Sequence, residues 1–95
     1  MTVITASLAA ENTFSDVLET RGSFGFSLSG TFAATVTVQR SRDNSTWRDV
    51  DSWTAPSEEV GFEPNPMYYR VGIKSGGYTS GTAVVELNDD QERIE

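Results

Sequence analysis

The sequence contains no cysteine and no histidine. Without cysteine, neither a disulfide nor a thiolate metal site is available to staple the chain. Small secreted domains often carry disulfides, so this absence points to a protein made in a reducing cytosol. Without histidine, the commonest general base, the usual zinc and iron ligand and the switch near neutral pH are all missing. Catalysis would have to rest on carboxylate pairs, Lys, Tyr or an unassisted Ser, and Ser57 and Ser80 have no base to activate them. The expectation is a non-enzymatic chain with no cofactor, no catalytic residue and no metal site. Lysine is nearly absent too: the chain has seven basic residues, and Lys74 is the one lysine among them. The net charge of −7 repels phosphate backbones, which argues against nucleic acid as a partner and favours solubility. No apolar run is long enough to span a membrane, and Met1 to Ala6 lacks the basic start of a signal peptide. A soluble chain that is not exported by an obvious route is expected.

What is present reads as strands. At 95 residues the chain holds one domain with one modest core. Thr31 to Thr54 writes out a hairpin: Phe32, Ala34, Val36 and Val38 alternate with Ala33, Thr35, Thr37 and Gln39, a period of two that sets one face in a core and the other in water. The polar tract Ser41 to Thr46 supplies the turn, and Trp47 to Trp53 resumes the alternation. Upstream, Thr2 to Leu8 reads as a short strand or arm, Thr13 to Leu18 as a weak strand, and Ser23 to Leu28 as a clean one with Phe24, Phe26 and Leu28 on one side. Small residues on its other face, Ser23, Gly25 and Ser27, imply either solvent or a close-packed neighbour. Ser29-Gly30 is expected to turn.

Downstream, a short strand around Glu58 to Phe62 is expected to stop at Glu63-Pro64-Asn65-Pro66, since prolines so spaced do not suit a central strand. Met67 to Ser75 is a strong strand with Met67, Tyr69, Val71 and Ile73 on one face. A glycine-rich turn over Gly76 to Gly81 leads to a last strand, Thr82 to Leu87, and mid-strand Gly72 suggests a bulge or a close approach. Seven or eight short strands at this spacing imply an all-β sandwich or small barrel. The expected organisation is an N-terminal arm or edge strand over 1–10, a β-sandwich over 11–88 and an acidic tail over 89–95.

Few features carry chemistry. Ser41-Arg42-Asp43-Asn44-Ser45-Thr46-Trp47 resembles the Asp-box hairpin of sialidases and related β-propellers, in which Asp and Ser cap backbone groups; the reading here is a capped turn pinned by Trp47. Asp49 with Asp51, and Asp89-Asp90 with Glu92, lack the spacing of a calcium loop and read as solvated acidic faces. Trp53, Phe62, Tyr68 and Tyr78 read as core aromatics, with Trp53 and Tyr78 the alternative ligand platform if the domain binds sugar.

Two blocks, TVTVQRSRDNSTWRDVDSWT and YYRVGIKSGGYTSGTAVVEL, are similar to the C, C′ and F, G portions of immunoglobulin-like and fibronectin type III-like sandwiches. The longer string from Arg21 to Leu87 resembles small proteins encoded among the head genes of tailed bacteriophages. That resemblance implies a structural protein of the virion, made in the bacterial cytoplasm and acting as a capsid decoration (cement) protein. Its expected partner is the major capsid protein, and its expected assembly is a homotrimer. The alternative is a carbohydrate- or receptor-binding module on a tail or capsid surface. In the decoration reading the termini are the docking tools: Val3 and Ile4 on an arm that adds to a neighbour's sheet, Arg93 and Ile94 on a tail that orders on docking.

Overall fold

The computed structural model describes residues 2–89. The strands are β1 (Thr2–Leu8), β2 (Thr13–Phe14), β3 (Leu18–Ala34), β4 (Val36–Ser41), β5 (Arg48–Trp53), β6 (Ser57–Ile73) and β7 (Tyr78–Asp89). All are antiparallel and belong to one sheet, ordered β1-β7-β3-β6-β4-β5, with β2 added to β6. No helix occurs among the described residues. The all-β class is as the sequence implies. Of the neighbours implied by the immunoglobulin-like resemblance, β4–β5 and β4–β6 are present, whereas β7 pairs with β3 and β1 instead of β6.

A sheet with no helix to cover it buries its apolar face only by folding over. Val36, Val71, Ile73, Val85 and Leu87 are fully inaccessible to solvent, so the cover comes from the sheet itself. The stacked pair Phe26 and Trp53 shows how. Their strands, β3 and β5, are three steps apart in the sheet, about 14 Å if it were flat. The ring centroids are 4.7 Å apart. The first half of β6, with β3, β7 and β1, therefore lies over the second half of β6, with β4 and β5.

The corner lies where the sequence places a stop. Glu63 pairs with Gly22 and Met67 with Thr20, so Pro64, Asn65 and Pro66 stand opposite Arg21 alone. The three exposed residues form a bulge, a place where proline loses no ladder bond. Thus β6 bends there and does not end. Ser29-Gly30 is likewise no turn, because β7 pairs with β3 continuously from Phe24 to Ala33. The strand is interrupted instead at Thr35, whose N–H donates to the Gly77 carbonyl at 2.8 Å. Phe32 and Ala34 consequently belong to β3, and Val36 and Val38 to β4.

Two further expectations need correction. Thr37 and Gln39 are buried, though the alternation puts them in water. Arg70, cross-strand from Gln39, donates to its Oε1 at 2.8 Å, and the Arg70 guanidinium lies 4.0 Å from the Phe14 ring centroid and 4.4 Å from that of Trp47. This lid gives β4 two covered faces. Gly72 admits it: a Cβ there would collide with the Phe14 ring and the Thr13 carbonyl. Secondly, the boundary of the C-terminal tail moves, and of the arm or edge strand expected over 1–10 the edge strand is the one present. β1 is an edge strand paired with β7 from Thr2 to Leu8, opposite residues that include Asn88 and Asp89. Asp89, assigned by sequence to the tail, is buried in β7 and accepts the Thr2 N–H at 3.1 Å.

Leu8 is buried against this core whereas Val3 is half exposed. Leu8→Ala is expected to lower stability by about 2–5 kcal/mol, and Val3→Ala by less than about 0.5 kcal/mol, read from urea midpoints. Equal effects would mean that β1 is not packed as described.

Candidate functional site

The first half of β6 carries its apolar residues outward. Side chains alternate along it, with Glu63 buried and Gly61 beneath the Phe24 ring on the inner face, so Glu58, Val60 and Phe62 point out. Val60 is 92% exposed and Phe62 71%. Their cross-strand neighbours on β3 are Ser27, Gly25 and Ser23, with Glu86 and Asn88 of β7 one strand further on. Because Gly25 has no side chain, Val60, Phe62, Ser23 and Asn88 enclose an open groove above it. The groove's other end is acidic: Ser27 donates to Glu58 at 2.7 Å, and Asn88 to Glu86 at 3.0 Å.

The same stretch is a free edge. β4 pairs with β6 only from Tyr68 to Gly72. Among the described residues, no strand pairs with the second side of Glu58 to Phe62. Next to this edge, the two layers leave a slot of about 140 Å³ between Phe24, Phe26 and Val60 on one side and Val38, Val50 and Trp53 on the other. The exposed Asp51 and Glu59 also line it. An apolar slot with carboxylates at its mouth, beside an unpaired backbone, is equipped for binding.

At the corner beside the slot a buried carboxylate meets a partly exposed guanidinium. Arg40 Nη2 donates to Glu63 Oε1 at 2.7 Å, and the Tyr69 hydroxyl donates to the same oxygen at 2.8 Å. Tyr69 in turn packs against Phe24, ring centroids 4.7 Å apart. Burial pushes the Glu63 carboxyl up, but the hydrogen bonds from Arg40, Tyr69 and the Asn65 N–H outweigh it and the net shift is down. Burial, then the bond to Glu63, raises the Tyr69 hydroxyl.

The residues singled out from the sequence fall in separate places. Trp53 lines the slot, half-buried against Phe26. Tyr78 begins β7, ten positions from the Asn88 of the groove, and its hydroxyl donates to the Gly81 carbonyl at 2.9 Å within its own segment. Both side chains pack against the same core cluster, and only Trp53 lines the slot. Val3 and Ile4 lie on β1, at the opposite edge of the sheet from β5. Arg93 and Ile94, like Asp90 and Glu92, lie outside the described residues. The turn after β4 is capped as the sequence implies: Asp43 Oδ1 accepts the N–H groups of Ser45 and Thr46 at 2.9 and 2.8 Å, and the Ser41 hydroxyl donates to it at 3.0 Å. Those backbone bonds, from Thr46 first, lower the Asp43 carboxyl. Trp47 is half-buried there and takes the Arg70 guanidinium on its ring. Asp49 is engaged by Lys74 at 2.6 Å and Gln39 at 2.9 Å, which hold it below the usual carboxylate range. No group of three or more acidic residues suited to a metal ion occurs among the described residues.

No protein-family model matches this chain, and neither a curated protein nor a solved structure matches it.

Two outcomes check this geometry. Glu63→Gln is expected to cost about 1–3 kcal/mol at neutral pH. The unfolded Glu63, with its ordinary pKa, takes up a proton before the folded one does. Its contribution is therefore complete above about pH 4.5 and is lost as pH falls through the lower, folded value. Melting temperature against pH is expected to drop more steeply below about pH 4.5 in the native chain than in Glu63→Gln. Gly61→Ala places a methyl 2.6 Å from the Phe24 ring. The ring must move, at about 1–3 kcal/mol, with a change in tryptophan fluorescence because Phe24 and Trp53 share the slot.

Proposed function

We propose that the chain is a non-enzymatic structural protein of a tailed-bacteriophage virion, a capsid decoration protein that binds the major capsid protein shell as a trimer. The observation that carries the binding role is the exposure of Val60 and Phe62 beside an unpaired strand edge. Large apolar side chains grouped on a free edge invite aggregation unless a partner covers them. The net charge of −7 keeps such a chain soluble before it docks. The resemblance of Arg21 to Leu87 to small head-gene products supplies the virion context.

The docking role expected of the termini is extended here to a second edge of the sheet. β1 pairs with β7 on one side only, and the β6 edge adds a second docking surface beside Val3 and Ile4. Purified protein is expected to co-sediment with undecorated expanded capsids of the source phage, saturating at many copies per particle in multiples of three. Absent binding, or a few copies per particle, would reject decoration.

A further inference from the structure

We infer that the free edge of β6 from Glu58 to Phe62 takes an extended segment of a different protein as an added strand, and that this segment alternates apolar residues and carries a Lys or Arg opposite Glu58. This rests on the binding role proposed above and names the chemistry of the partner. An added strand alternates its side chains between the two faces of the sheet it joins. One set enters the slot between Phe24, Phe26, Val38, Val50 and Trp53, whose volume of about 140 Å³ suits one or two aliphatic side chains. The other set lies on the outer face beside Phe62, Val60 and Glu58, in that order at steps of two.

The charges select the occupant. Asp51 and Glu59 line the slot, Glu58 sits on the outer row and Glu86 lies one strand beyond Ser27. A cation two residues from the apolar contact on the outer row meets Glu58 directly across the edge, where opposite charges are favourable and like charges are not. A second copy of this chain would bring a net charge of −7 to a surface already acidic. The partner is thus a basic and apolar strand of another protein. The open edge, the adjoining slot and the order of the outer row all point to that one geometry.

The probe is a pair of short acetylated peptides of alternating Val and Thr, one with Lys and one with Glu at the outer position next to the valines. Each is titrated into the full chain and followed by tryptophan fluorescence and calorimetry. The Lys peptide is expected to bind saturably, at least about tenfold tighter than the Glu peptide. Val60→Lys changes a residue that is 92% exposed, so folding is not at stake. It is expected to abolish Lys-peptide binding, and Val84→Lys, on β7 away from the edge, to leave it intact. Equal binding of the two peptides, no saturable binding of either, or an unaffected Val60→Lys would overturn the inference. Concentration-dependent self-association that Val60→Lys removes would also overturn it, by assigning the edge to a second copy. Co-sedimentation separates this outcome from the wider reading. Capsid binding that survives Val60→Lys rejects the edge but keeps decoration. Lys-peptide binding without capsid binding keeps the edge and rejects decoration.

Discussion

Everything in this molecule depends on the bend in β6. With no helix among the described residues and no disulfide, the apolar face of the sheet has to be covered by the sheet. The Pro64-Asn65-Pro66 bulge lets one strand serve both layers, and the residues around it fix how far the layers close. Glu63, just before the bulge, reaches Arg40 on β4 and Tyr69 beyond the bulge. Tyr69 then bears on Phe24, which lies over Gly61. A glycine at 61 allows this approach, and a side chain there would displace the Phe24 ring.

The same bend creates the free edge. β4 follows β6 only as far as Tyr68 and then leaves in its capped turn, so the part of β6 before the bulge has lost its neighbour on that side. The slot and the exposed row Val60 and Phe62 are therefore products of the corner and not separate additions. A buried carboxylate with three donors is a costly way to hold a corner compared with apolar packing. Its directional bonds fix the relative position of β4 and both halves of β6, which sets the width of the slot.

Much of the fold was legible. Met67, Tyr69, Val71 and Ile73 alternate and are all buried, and the turn chemistry of Ser41 to Thr46 reads directly from its residue types. The errors share a physical cause. A period of two records which face is inside but not which strand lies alongside, so Phe32 to Val38 reads as one strand across the Thr35 interruption. Burial of Thr37 and Gln39 depends on Arg70, Trp47 and Phe14, which are remote in sequence. The free edge left a signal that splitting the strand at its prolines conceals. Carried back across them, the inward phase of Met67 to Ile73 falls on odd positions, which places Val60 and Phe62 outside.

The order of strands in space also governs the order of events in folding. β7 sits between β1 and β3, so β1 has no partner until β7 has been made. Thr2 and Asp89, which meet at the end of that ladder, are 87 positions apart. Most of the contacts between strands are similarly non-local, and such topologies fold slowly because chain closure precedes any stabilising pairing. Until β7 docks, β3 lacks its partner over Ser29 to Ala34 and Leu28, Val85 and Leu87 stay uncovered. A chain in which β7 has not yet docked exposes more open edges than the native one.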